Sequence, residues 1–534
     1  MKRGALAAAV GVSLLVACSS NTGCGSNNTV GRTGDGNTSS SSGSHPTPGS
    51  TNPPPPTDVP PSGTIEVTLT TEKDAATDTV VSFGVPFPQG VFHDASKIVV
   101  RNGASGESVP ASTTVLARWP ADGSVRSVLV AAKTTMAANE KASWKVEYGG
   151  ASGPATEALA PNPDGPVVAV LPAEWYAKSR VSGMLLPVAA NKRFATYDAQ
   201  LDAHFAAIDF SAFGVSCSTT SKHRSYYDGP HAQYQRFLRS GDPAHYRGAR
   251  AETVLYRQTE VRFHDGKKTA VQVCQPAAWT PRTLIDWHVL RRMASQGNLD
   301  DYLLTGDPNA REVVLAFGEA YRLNLPVLTA GPKPPIEATE RNLAWTMMGL
   351  ASYYALEPRP EVRDALVALV DRVAAWQARG TSGALEHDLN RPDPDECADG
   401  PKGGSPFMTS LVVDGLMDYW LLTGDAGRVE PIVRKLAEWY EKSALTSDKK
   451  AFRYLWNCNS NPYDDSSTAD LNLLIGHVFG AAYVLTKDEH WLDFGDSIAD
   501  SGVSAMFAKQ PKQWNQAARS FGRYLGYRAV GRTP

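Results

Sequence analysis

The chain is short of cysteine, of charge of either sign in excess, and of long apolar runs, and each shortage removes a class of protein. Six Cys in 534 residues are too few for a fold built on disulfides, and no Cys-x-x-Cys pair marks a zinc site. Lys and Arg number 52 against 55 Asp and Glu, a net charge of −3, so a nucleic-acid partner held by its phosphates is not expected. No Gly-rich phosphate loop follows a strand, and neither His-Glu-x-x-His nor Gly-x-Ser-x-Gly occurs, which sets aside nucleotide, zinc-protease and α/β-hydrolase chemistry. The acidic stretch Asp393 to Gly400 lacks the spacing of an EF-hand loop. Calcium there is the one metal left open, and no other cofactor is expected. What remains is 42% hydrophobic residues on a chain long enough to bury a large core without staples.

The first segment reads as an address. Lys2 and Arg3 precede a short apolar run from Ala5 to Val16, too short to span a bilayer. Leu15-Val16-Ala17-Cys18 resembles the lipobox of bacterial lipoproteins. That resemblance implies a signal peptide over 1–17, acylation of Cys18 by fatty acids such as palmitate, and insertion of the acyl chains in a lipid bilayer. Ser19 and Ser20 favour the outer membrane under the usual sorting pattern. From Cys18 to Gly63, 38 of 46 residues are Ser, Gly, Thr, Asn or Pro. Such a composition cannot offset its chain entropy by burial, so 18–63 is expected to be a tether.

Period-two alternation then appears at Thr64 to Leu69, Lys97 to Val100, Val125 to Val130 and Trp144 to Tyr148, separated by Pro86, Pro88, Asn102-Gly103 and Asp122-Gly123. This predicts a compact β domain over 64–150. Two phrases inside it, Val81 to Gly90 and Arg118-Trp119-Pro120-Ala121-Asp122-Gly123-Ser124-Val125-Arg126, resemble the N-terminal RIFT-type barrel of the exo-rhamnogalacturonan lyase and YetA-like family. Asp122-Gly123 is a hairpin turn with an Arg on each flanking strand. Its simplest role is a turn with cross-strand charges, outside any catalytic site.

The remainder repeats. Phe237 to Asp242, Tyr302 to Asp307, Trp420 to Asp425 and the degraded Tyr483 to Asp488 share one phrase ending in Thr-Gly-Asp or a variant, and Tyr354 to Pro358 fills a fifth slot. Aligned on Ser240, Thr305, Glu357, Thr423 and Thr486, the spacings are 65, 52, 66 and 63 residues, room for two helices per unit. Gly ends one helix in the left-handed conformation and Asp caps the next, so the phrase is structural. Eight residues earlier stand Ala232, Gly297, Gly349, Gly415 and Val478, mostly small, as close helix contact requires. The expected fold is therefore multidomain β plus α: the β barrel or sandwich, a connecting segment over 151–224, and an α/α toroid of five or six hairpins over 225–534. The helical phrases resemble those of α/α-toroid carbohydrate-active enzymes, including the rhamnogalacturonan-lyase-like group. Residues 151–224 fit either a connecting β segment or the helix that completes the ring.

Connections at the Thr-Gly-Asp phrase are short, whereas those entering the next phrase-bearing helix, about 263–282, 324–337, 380–405 and 446–467, are long. Antiparallel hairpins put the two kinds on opposite rims, and the long-loop rim is the expected working face. Cys217, Cys274, Cys397 and Cys458 all fall in long connections; the expected bridges are Cys217–Cys274 and Cys397–Cys458, one of three connectivities. The same rim collects Arg224, Tyr226, Tyr227, Asp228 and His231 before one helix, His288 after Trp287, and Glu340-Arg341-Asn342 in a first turn. His387, Asp388 and Asn390 lie in one loop and Tyr463, Asp464 and Asp465 in another.

Two chemistries suit that set. A polysaccharide lyase neutralises a uronate carboxylate, removes the neighbouring proton and protonates the leaving oxygen. Arg224 or Arg341 would bind the carboxylate, His231, His288 or His387 act as base, and Tyr226, Tyr227 or Tyr463 as acid. An inverting glycoside hydrolase needs two separated carboxyl groups, for which Asp228, Glu340, Asp388, Asp464 and Asp465 are candidates. Trp279, Trp287, Asn342 and Asn390 would bind sugar in either case. The family resemblance implies the lyase, acting on a polysaccharide or oligosaccharide. A non-catalytic envelope lipoprotein that binds glycan or protein is the competing class.

Overall fold

The computed structural model describes residues 57–153, 156–213, 224–264, 270–273, 290, 293–389, 397, 402–458 and 469–532. Alternation builds the first part. In β1 (Gly63–Thr71) Ile65, Val67 and Leu69 are buried while Thr64, Glu66 and Thr68 are exposed, the pattern of a sheet with one wet face. One antiparallel sheet has the order β4 (Ser108–Val109), β3 (Ile98–Asn102), β7 (Lys141–Tyr148), β1, β8 (Val167–Val170). The other is β2 (Ala76–Pro86), β6 (Val125–Met136), β5 (Ala111–Arg118). Phe87, Phe92, Trp119, Val130, Trp144 and Val146 fill the space between them.

Eight consecutive residues of β6, Val125 to Ala132, are buried, so this strand is covered on both faces. Its second face meets the helical region: Ser127 Oγ donates to the Leu303 carbonyl at 2.6 Å. On β2, a Cβ at Gly84 would lie 2.0 Å from that carbonyl oxygen, an approach only glycine permits.

The segment 151–224 serves both halves. β8 pairs with β1, Thr68 opposite Val170, and short α1 (Ala173–Ser179) follows it. Helix α2 (Ala195–Ala207) is tied to the helical ring by Arg236, which meets Asp198 at 2.5 Å and also pairs Asp202.

The helical part is an α/α toroid. Among the described residues the inner wall consists of six segments: α3 (Gly229–Ser240), α5 (Gln296–Thr305), α7 (Glu340–Leu356), α9 (Pro406–Thr423), α11 (Asn472–Ile475) running into α12 (His477–Thr486), and α14 (Pro511–Arg519) running into α15 (Phe521–Arg528). Each packs on the next, and α14 closes the ring on α3. These helices are buried on nearly every side. The outer helices α2, α4 (Pro243–Thr259), α6 (Pro308–Leu328), α8 (Pro360–Gln377), α10 (Ala426–Lys442) and α13 (His490–Ser504) bury one stripe. In α10 it is Val429, Ile432, Val433, Leu436 and Tyr440, the spacing of a helix with one face on a core. The window Ala469–Thr486 is long and apolar enough to cross a membrane, yet 83% of it is buried, which its place in the inner wall explains.

The repeated phrase does what its chemistry requires. Gly241, Gly306 and Gly424 take φ of 68°, 74° and 72°, and Lys487 takes 64° in the degraded copy. Asp242, Asp307, Asp425 and Asp488 accept from the backbone N–H of Ala244, Asn309, Arg428 and His490. Small residues sit where helices touch: a Cβ at Gly297 would meet Pro230 Cβ at 2.5 Å and His231 N at 2.6 Å. The β unit rests on the Leu303–Leu304 end of α5, the rim of short turns, so the N-terminal ends of the inner helices face the other way.

Candidate functional site

At that far rim the chain enters α3 through a strained turn. Tyr227 and Asp228 both have left-handed backbone, φ 64° and 55°, which costs non-glycine residues roughly 1–2 kcal/mol each. The turn is held from three sides. Asp228 accepts from the N–H of His231 at 3.2 Å and of Gly297 at 3.1 Å. Asn515 donates to the carbonyls of Arg224 (2.9 Å) and Tyr226 (2.8 Å), and Arg519 to that of Tyr227 at 3.1 Å. Burial pushes the Asp228 carboxyl up, against the pull of His231 and Arg519.

Two consecutive residues in the first turn of α7 organise the rest. Arg341 donates to the Tyr226 hydroxyl at 3.1 Å, and the Lys512 ammonium stands 5.7 Å over the Tyr226 ring. Glu340 is fully buried; its Oε1 accepts from Ser405 N at 2.8 Å and its Oε2 lies 3.2 Å from His387 Nδ1. The carboxylate thus stands beside one ring nitrogen of the imidazole, within ion-pair distance but without hydrogen-bond geometry. His387 is further fixed by backbone bonds in both directions with Gly403, of 2.8 and 3.1 Å. Gly404 in turn exchanges bonds with Trp456. The disulfide Cys397–Cys458, with Cα atoms 5.7 Å apart, clamps this strap, packed with Leu389 and Leu455.

The other candidates are placed differently. Arg224 is engaged by Glu252 of α4, Nε to Oε1 at 2.9 Å and to Oε2 at 3.0 Å; burial nevertheless raises the Glu252 carboxyl. Asp388 pairs with Lys333 at 2.8 Å. Buried Asn342 donates to the Pro335 carbonyl at 3.0 Å. His231 lies one turn down α3, its Nδ1 2.6 Å from Asp300 Oδ2 and its Nε2 2.9 Å from the Gln235 amide. Burial drives the imidazole down to about 3 and the Asp300 carboxyl up to about 7. Both directions favour a neutral imidazole facing a protonated Asp300 below neutral pH. Cys18, Cys217, Cys274, Trp279, Trp287, His288, Asn390, Tyr463, Asp464 and Asp465 lie outside the described residues. Among the described residues no group of three His, Cys, Asp or Glu side chains converges as metal ligands.

Sequence reasoning missed Glu252, Asp300, Lys512, Asn515 and Arg519. A usable signal existed for Arg519. Asp414 and Asp418 on α9, and Arg519 and Arg523 on α14 and α15, are charges four apart on buried helices, and they meet: Arg523 lies 2.9 Å from Asp418 and 3.4 Å from Asp414.

The two packed sheets over 63–148 decide one comparison. Residues 64–147 match the model of the PcRGLX-like N-terminal RIFT barrel domain. The RIFT barrel is the part of the chain that this family model covers. No curated protein matches the chain. Solved structures similar to it include a sugar epimerase from a ruminal bacterium, 11% identical over 57% of this chain and 87% of that one, TM-score 0.40. A family 88 glycosyl hydrolase from Bacteroides vulgatus is 10% identical over 61% and 99%, TM-score 0.41. A polysaccharide lyase is 10% identical over 61% and 98%, TM-score 0.41. The match of the RIFT barrel agrees with the resemblance carried by Val81 to Gly90 and Arg118 to Arg126; Arg126, however, is buried rather than part of a surface charge pair.

Proposed function

We propose that the protein is carbohydrate-active and cleaves an acidic polysaccharide by β-elimination at the rim opposite the RIFT barrel. The observation that carries this reading is the adjacency of two pairs on one helix turn, Arg341 with Tyr226 and Glu340 with His387. Between them they supply a cation, a phenol and an imidazole beside a carboxylate, the three functions β-elimination needs. Arg341 is favoured over Arg224 for the uronate carboxylate because Glu252 already takes the Arg224 fork. His387 would accept the proton alpha to that carboxylate while the bond to the leaving oxygen breaks. Tyr226 would give its proton to that oxygen, leaving an unsaturated sugar end.

The test is incubation with a panel of acidic and neutral polysaccharides, following unsaturated-uronate absorbance and reducing ends together. The reading requires both signals to grow on an acidic substrate. Reducing ends alone would instead indicate hydrolysis, and binding without either would indicate a recognition module. We also propose anchoring in the outer membrane through acylated Cys18; palmitate labelling lost in Cys18→Ala tests it, and labelling that persists overturns it.

A further inference from the structure

Where the barrel seats on the toroid, a cavity of about 30 Å³ is lined by Arg126 of β6, Ser182 after α1, His231 of α3, Asp300 of α5, Asp418 of α9 and Arg523 of α15. We propose that this cavity binds one small monovalent anion of halide size, held by Arg126.

Charge around this cavity is unevenly matched. Asp418 and Asp414 are shared between two guanidiniums, Arg523 at 2.9 and 3.4 Å and Arg519 at 3.5 Å from Asp414, and Asp418 accepts a further bond from Gln296 at 2.8 Å. Arg126 is only 4% exposed and, among the described residues, has neutral partners only. Its Nη2 donates to the Val181 carbonyl at 2.9 Å, and its guanidinium lies 4.7 Å over the Trp119 ring. Its Nε and Nη1 are buried with no hydrogen-bond acceptor. Asp300 and Asp418 act on the guanidinium at longer range, but a buried cation with no carboxylate in contact is disfavoured, and burial lowers the Arg126 value to about 10. The space exceeds the roughly 10–15 Å³ that one water needs, but water satisfies donors without cancelling charge, whereas an anion does both.

Asp300 is the nearest competitor for that role. It accepts from Ser182 Oγ at 3.2 Å and faces His231, Arg523 and Arg126. While it carries its proton it leaves Arg126 uncompensated; once ionised, it supplies the negative charge itself. Anion occupancy should therefore be high below neutral pH and fall above it. The cavity lies beneath the turn that carries Tyr226, joined to it through His231 and Asp228, and the anion takes no part in the proposed chemistry.

The experiment measures the unfolding midpoint of the full chain in sodium chloride against sodium gluconate at equal ionic strength, at pH 5.5 and 8.5, and collects bromide anomalous diffraction from crystals at the lower pH. The proposal expects a midpoint a few degrees higher in chloride at pH 5.5, little difference at pH 8.5, and one bromide peak beside Arg126. Arg126→Gln should abolish both effects. If that variant does not fold, the wild-type bromide peak decides. Water alone in the cavity, with equal midpoints in the two salts, overturns it.

Discussion

Glu340 and Arg341 point a buried carboxylate and a guanidinium at two different partners from adjacent positions on α7. Replacing Arg341 or His387 by Ala is expected to remove at least about 99% of turnover, the scale typical of losing a general acid–base or electrostatic group, with the folded circular-dichroism spectrum retained at a lower melting midpoint, because both side chains are buried. Glu340→Ala leaves buried Ser405 N–H and the His387 ring without their carboxylate, and should cost about 3 kcal/mol in urea unfolding. Asp300 and His231 give a pH prediction with opposing signs. Asp300 sits near 7 rather than 3.8, so between those values the unfolded chain has released a proton that the folded one keeps, and stability falls as pH rises. His231 sits near 3 rather than 6.5, so across that window the unfolded chain holds the extra proton and stability rises with pH. Together they nearly cancel, because one proton is shared between them. His231→Gln should expose the Asp300 slope: relative to wild type, the variant loses stability between pH 4 and 7 in urea titrations, and parallel curves for the two proteins would refute the pairing.

Helix ends were legible in the sequence because caps are local chemistry. Gly424→Ala should cost roughly 1 kcal/mol for its left-handed backbone, and Gly306→Ala somewhat more, because its Cβ would also stand 2.9 Å from the buried Leu129 side chain. Gly297→Ala should cost clearly more, since its new Cβ would strike Pro230 Cβ and His231 N of the neighbouring helix; denaturant midpoints rank the three. What the sequence hid was long-range. Asp300 is 69 residues from His231 and Tyr226 is 115 from Arg341, and no spacing rule links such pairs. Helix α2 was legible only as one of two alternatives for 151–224, because only Tyr197, Asp198 and Leu201 of its 13 residues are buried, too few to print a periodic stripe. Arg126 was misjudged because period two assigns one face of β6 to solvent, whereas the toroid buries that face too.

For the whole molecule, the barrel closes one end of the toroid and leaves the inner helix N-termini at the other, where the long connections lie. The Cys397–Cys458 bridge closes a 61-residue separation and clamps the strap that carries His387. Cys397→Ser should lower stability by about 2–4 kcal/mol, and it should depress turnover at temperatures where the toroid is still folded, which stability and rate measured on the same sample will separate. The central claim is that the rim performs β-elimination through His387 and Arg341. Unsaturated-uronate absorbance from an acidic polysaccharide, compared among wild type, His387→Ala and Arg341→Ala, tests it most directly. The account predicts growth with wild type and near silence in both variants. Equal growth in all three, or new reducing ends without that absorbance, would contradict it.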